Sequence, residues 1–341
     1  MKRCAALAAL LLMGACSSGT ASQARPSPSP SLASPSSSPL PSLSPMPLQR
    51  LERSLPSPIE ETAAAAAGGK LYVMGGFNAA GASLNTVYVF DGTTWSLGPR
   101  LPFPLDHPSA ATLDDRVYIA GGHSNGRDSA RMFRLDGDRW TELAPMQFAR
   151  GGHALVAAAR KLYAIGGNTS RGNVAAAEAY DPAANTWSVL PALPQPRNHV
   201  AGFTLNEMAC VDGGRSPTTA RVDCLDVARR AWSRLADLPR AASGGGAVTL
   251  GGTVVVAGGE DASETRIIDQ LVYMSGAPGA TGATGASGWT VKQKMLAPRH
   301  GFELVDFQGR AWACGGGSAP GLHPVATCTS FGDGLSALAN S

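Results

Sequence analysis

The chain has 341 residues, 44% hydrophobic and 16% charged, with a formal net charge of +3. That length accommodates one large β domain with appendages. The near-neutral balance, with no basic stripe and no base-stacking motif, speaks against a nucleic-acid partner.

In chain order, Lys2 and Arg3 precede an apolar run from Cys4 to Met13 that is too short to span a bilayer, so residues 1–15 read as an export signal. Met13, Gly14, Ala15 and Cys16 resemble a bacterial lipobox. The resemblance implies that Cys16 is acylated, palmitate-type, and anchors the protein to a membrane on the extracytoplasmic side of a bacterial cell envelope. The alternative is a plain secretory signal cut near Ala15. That would leave Cys16 as an exposed thiol in an oxidising compartment, a liability that favours lipidation. Residues 16–46 are mostly Ser, Pro and Ala. They cannot bury a core and are expected to form an extended, semi-rigid tether.

Six glycine pairs then recur: Gly75-Gly76, Gly121-Gly122, Gly166-Gly167, Gly213-Gly214, Gly258-Gly259 and Gly315-Gly316, at steps of 46, 45, 47, 45 and 57 residues. A strand-like run such as Leu71 to Met74 or Val117 to Ala120 precedes each pair. A polar loop follows, then a strand ending in an apolar residue and Asp (Phe90-Asp91, Leu135-Asp136, Tyr180-Asp181, Leu225-Asp226), then Trp95, Trp140, Trp187, Trp232 and Trp289. After each Trp comes a proline-rich corner and a strand of small residues, suited to the narrow axis of a radial assembly. The fifth unit is longer by a segment with glycine at every third position, residues 276–288. With few proline residues it reads as a surface loop rather than a collagen helix.

This pattern resembles the kelch repeat. The resemblance covers about residues 47–331 and implies an all-β, six-bladed β-propeller, each blade a four-stranded antiparallel sheet, with residues 332–341 as a tail. The fourth unit departs from the pattern with Cys210-Val211-Asp212 before its doublet, and the sixth lacks an outer Trp. Residues from Pro47 to Pro56 resemble the outer-strand corner around Trp187, so an N-terminal strand is expected to complete the last blade and close the ring. Closure shields the sheet edges.

Outside the leader, four cysteines remain: Cys210, Cys224, Cys314 and Cys328, both separations being 14. Each pair sits on adjacent strands of one blade, and export favours disulfides Cys210–Cys224 and Cys314–Cys328. Four buried thiols are the alternative. No His or Cys lies at close ligand spacing, so no metal site is expected.

The doublet loops and proline corners share one face. Arg150, Arg197 and Arg299 each lie 16 residues before their doublet and Arg240 lies 18 before its own, with His153, His199 and His300 close by and Glu303 on the sixth inner strand. Guanidinium groups around a concave opening would take an anion. The same residues could instead bond neighbouring blade carbonyls. Copper chemistry of the galactose-oxidase kind needs two tyrosines and two histidines, and no such set is readable; nor is a serine elbow, a phosphate loop or a catalytic carboxylate pair.

The resulting expectation is a monomeric, cofactor-free module that binds a protein or glycan through the doublet face. An enzyme on acidic sugars is the alternative, because blade count, export and an arginine-rich mouth resemble the periplasmic N-acetylneuraminate epimerases. An assembly scaffold without a small ligand is the third possibility.

Overall fold

The computed structural model describes residues 49–275 and 288–332. The leader, Cys16, the tether, residues 276–287 of the glycine-rich insertion and residues 333–341 lie outside the described residues. Six four-stranded antiparallel sheets form the blades of a β-propeller. From axis to rim they are, in blade 1, Ala63–Ala67, Lys70–Met74, Val87–Phe90 and Trp95–Leu97, and in blade 2, Ser109–Leu113, Arg116–Ala120, Met132–Asp136 and Arg139–Leu143. Blade 3 has Ala154–Ala158, Lys161–Ile165, Ala177–Asp181 and Thr186–Leu190, and blade 4 has Ala201–Leu205, Met208–Asp212, Val222–Asp226 and Ala231–Arg234. Blade 5 has Gly246–Leu250, Thr253–Ala257, Gln270–Ser275 and Thr290–Lys294.

Blade 6 combines Leu304–Phe307, Arg310–Cys314 and Cys328–Phe331 with the N-terminal strand Gln49–Glu52. Gln49 pairs with Phe331 and Glu52 with Cys328, which closes the ring as the sequence predicts.

Ala63–Ala67 shows how context overrides propensity. Alanine is the best helix former, yet these five pair in register with Lys70–Met74 as an inner strand. Their small side chains fit where six sheets converge.

The core is divided into six wedges, each between neighbouring blades. Val87 and Val89 pack with Ile119 and Phe133 between blades 1 and 2, and Leu55, Phe90 and Trp312 pack between blades 6 and 1. The outer tryptophans link blades as well as filling wedges. Trp95, Trp140, Trp187, Trp232 and Trp289 donate their indole N–H to Arg53, Pro99, Ala144, Pro191 and Ala236 carbonyls at 2.8–2.9 Å, each at the rim of the preceding blade. Both expected disulfides form, Cys210–Cys224 and Cys314–Cys328, with Cα separations of 4.0 and 4.1 Å.

Candidate functional site

The corner before each inner strand bridges to the residue after each doublet. The pairs are Glu60 with Phe77, Asp106 with His123, Gly151 with Asn168, Asn198 with Arg215, Ser243 with Glu260 and His300 with Gly317. The doublet glycines permit this. Both Gly75 and Gly76 have positive φ, and a Cβ on Gly76 would lie 2.3 Å from the Glu60 carbonyl. Doublet loops and corners therefore share one face, and each blade is locked there to the same turn.

One residue past each corner, the chain forms a closed annulus around the axis. Glu61 N–H donates to Gly301, His107 to Glu61, Gly152 to His107, His199 to Gly152, Gly244 to His199 and Gly301 to Gly244, at 2.6–3.1 Å. All six residues are left-handed, with φ between 51° and 66°. Three are glycine, for which this is free; Glu61, His107 and His199 accept it at about 1 kcal/mol or more each.

Beneath the annulus is an axial cavity of about 90 Å³ lined by the starts of the inner strands, among them Ser109, His153 and Glu303. Inner strands expose an edge of unpaired N–H groups to the axis. Glu303 answers two neighbouring blades at once: it accepts from Ala64 N at 2.7 Å, Ser109 Oγ at 2.6 Å and Ala110 N at 3.3 Å. Ser109 Oγ in turn accepts from Leu155 N at 2.9 Å. Burial pushes the Glu303 carboxyl up from its ordinary 4.5 to about 7, against the lowering effect of those donors.

The arginines do not ring this opening. Arg150, Arg197 and Arg299 are fully buried. Each donates to the first carbonyl of the doublet 16 residues on: Arg150 to Gly166 at 3.1 Å, Arg197 to Gly213 at 2.6 Å and Arg299 to Gly315 at 2.8 Å. Arg150 is ion-paired to Glu178 at 2.5 Å and Arg197 to Asp223 at 3.0 Å. Among the described residues Arg299 has carbonyl partners only, and burial pushes it down to about 10. Arg240 is exposed and apart from them. The recurrence in register is thus that of an internal blade staple. Of the residues expected at the mouth, the histidines and Glu303 do converge on the axis.

Residues 47–192 match the KLHDC2/KLHL20/DRC7 Kelch-repeats domain. The chain is 31% identical over 202 residues to Kelch-like protein 25 of Xenopus tropicalis, covering 54% of this chain and 34% of that protein. It is 37% identical over 92 residues to Kelch-like protein 33 of Homo sapiens, covering 27% and 17%. It thus spans about a third or less of the length of these curated relatives. A solved structure titled "Structure of YjhT" matches with a TM-score of 0.65 at 16% identity, over 81% of this chain and 95% of that one, a likeness of fold. These findings support the kelch β-propeller family.

Sequence reading missed one feature of this axial mouth. Glu61, His107 and His199 come from blades 1, 2 and 4, yet one donor atom from each lies within 4.8 Å of the others. Spacing along the chain gives no signal for such a set, because the ring brings positions a blade or more apart together. Their electrostatics differ. Burial pulls His107 down, but the carboxylates of Glu61 and Asp106 outweigh it and hold the imidazole above its ordinary value. His199 is held well below by burial and by the neighbouring His107 and Arg215. His153 is also held well below by burial, and among the described residues neither of its ring nitrogens has a hydrogen-bond partner. His300 donates from Nε2 to Ala319 O at 3.0 Å, with Nδ1 3.7 Å from Glu61.

Proposed function

We propose that this propeller is held at a bacterial cell envelope by lipid on Cys16 and binds a protein partner through its doublet face. Kelch proteins generally bind protein partners. The observation that carries the choice of face is a circle of bonds joining the rim loops of all six blades. Ser83 bonds Asp106 at 2.5 Å, Ser170 bonds Asp128 at 3.1 Å and Asn173 bonds the Ser216 carbonyl at 2.9 Å. Arg215 bonds Glu260 at 3.2 Å, Gly321 N bonds Glu260 at 3.4 Å and His323 N bonds Glu60 at 2.9 Å. Loops ordered in advance lose little entropy when a partner docks.

Two open grooves of about 660 Å³ lie on this face beside the hairpin tips of blades 2 and 3. Phe148, 44% exposed, lines one of them, and Phe103 lines the other with Arg131 stacked 4.5 Å from its ring. Accessible aromatics and arginines are residue types that anchor protein interfaces. An acidic sugar is the less favoured ligand, because the three buried guanidinium groups are already occupied by blade carbonyls.

The test is site-specific photo-crosslinking of the full chain in its host cell. A crosslinker at Arg127 or Arg171, on the doublet face, should give a discrete protein adduct, and one at Arg139, on the opposite face, should not. Adducts from Arg139 alone, or from none of the three, would overturn the face assignment. Cys16→Ser should move the protein out of the membrane fraction; retention there would overturn the lipid anchor independently.

A further inference from the structure

The annulus holds a donor set whose chemistry is specific. His107 Nδ1–H donates to Asp106 Oδ1 at 2.8 Å, and Asp106 is itself held by Ser83 at 2.5 Å. His199 Nδ1–H donates to Asn198 Oδ1. The Asn198 amide is oriented by its own donation to Asn173 Oδ1 at 2.5 Å, so its oxygen faces the histidine. In the neutral form each imidazole is therefore fixed in the tautomer that leaves Nε2 as a lone pair, and both Nε2 atoms face Glu61. His107 Nε2 is 3.5 Å from Glu61 Oε2, and His199 Nε2 is 3.9 Å from Glu61 Oε1.

We propose that Glu61, His107 and His199 bind a divalent first-row transition-metal ion of the zinc class at the axial mouth of the propeller. Zinc sits about 2.0–2.1 Å from imidazole nitrogen and carboxylate oxygen, so tetrahedral donors lie about 3.3 Å apart. The two separations run to different oxygens of Glu61, and one donor atom from each of the three residues lies within 4.8 Å of the others, so the set must draw together by side-chain rotation around an entering ion. Two histidines and one carboxylate are a metal-site donor set, and a side-chain oxygen on each Nδ1 is the support that ligating histidines generally have.

The backbone agrees. Three of the six annulus positions are glycine, and the three that carry side chains in a left-handed conformation are the three donors. The glycines also make room, since a Cβ on Gly301 would lie 2.8 Å from Glu61 Oε1 and one on Gly152 would lie 3.1 Å from His199 Nδ1.

Two lone pairs aimed at a carboxylate call for a positive charge. Arg215 supplies part of it, with Nη2 2.9 Å from His199 Nε2. Its other contacts are Glu260 at 3.2 Å and Glu264 at 3.4 Å, and its side chain is 25% exposed. It can leave the imidazole for those carboxylates when a metal enters.

Titration of the full chain with Zn²⁺ by calorimetry tests this. The wild type should bind one ion per chain. His107→Gly and His199→Gly should each weaken binding by roughly 100-fold or more, and neither should unfold the protein, because glycine already fills the matching positions. Arg215→Gln should tighten binding about tenfold, by removing the competing donor. His323→Ala, an exposed rim histidine, should change nothing. Absence of stoichiometric binding in the wild type, or undiminished binding in both glycine variants, overturns the site. Independently of any variant, Co²⁺ should give the intense visible bands of a low-coordinate nitrogen and oxygen site; the weak spectrum of hydrated Co²⁺ overturns it.

Discussion

Blade 3 is one uninterrupted stretch of chain, whereas blade 6 takes its outer strand from the other end of the sequence. The two solve the same problems with different residues. At the rim, blade 3 reaches back to blade 2 through Trp187, which buries its ring and donates to Ala144 O at 2.8 Å. Blade 6 reaches back to blade 5 through Gln49, which donates to Lys294 O at 2.7 Å and accepts from Leu296 N at 2.9 Å. In the interior, Arg150 of blade 3 faces Glu178, which stands opposite Ala164. Blade 6 places Thr329 at the equivalent register, opposite Ala313. Neither Arg299 Nη2 nor Thr329 Oγ1 has a hydrogen-bond partner among the described residues. Blade 6 also puts Glu303 on the axis where blade 3 has Ala154. The repeat therefore fixes a backbone, and the charges placed on it vary from blade to blade.

The largest expected effect separates the two arginines. Arg150→Ala should cost about 3–5 kcal/mol, because it strands the Glu178 carboxylate in the interior. Arg299→Ala strands only neutral carbonyls and should cost about 1–3 kcal/mol. Equal losses in urea unfolding would show that the missing acid in blade 6 is of no energetic consequence.

The rim links should differ next. Trp187→Ala should cost about 3–5 kcal/mol as a buried aromatic truncation, and Gln49→Ala about 1–2 kcal/mol for two hydrogen bonds at the closing strand. If Gln49→Ala proved the more damaging, ring closure would depend on that side chain more than on the backbone pairing of Gln49–Glu52.

The smallest effect is a pH dependence that belongs to blade 6. A carboxyl raised from 4.5 to about 7 in the folded state adds stability that is fully present below pH 4.5 and is lost as pH rises through 7. A shift of that size corresponds to at most about 3 kcal/mol. Between pH 5 and pH 8 the wild type should lose more stability than Glu303→Gln by some part of that amount, and Ala154→Ser in blade 3 should leave the pH profile of the wild type unchanged. Parallel profiles for wild type and Glu303→Gln would mean that the carboxylate stays ionised among its N–H donors.

Much of this was legible without coordinates. The glycine doublets announced the blades, since each must turn where a Cβ would strike the neighbouring corner carbonyl. The spacing of 14 placed both cysteine pairs on adjacent strands, and the Gln49 segment was visible as the missing outer strand. These are short-range or periodic constraints, and a sequence records them directly. The arginines were harder, because a staple inside a blade and a ring of ligands around the axis repeat with the same period. Only the direction of the side chains, into the blade toward Gly166, Gly213 and Gly315, separates the two. The Glu61, His107 and His199 cluster left no trace in spacing at all. Its members stand 46 and 92 residues apart in the chain, and closing the ring is what brings their side chains to one point on the axis.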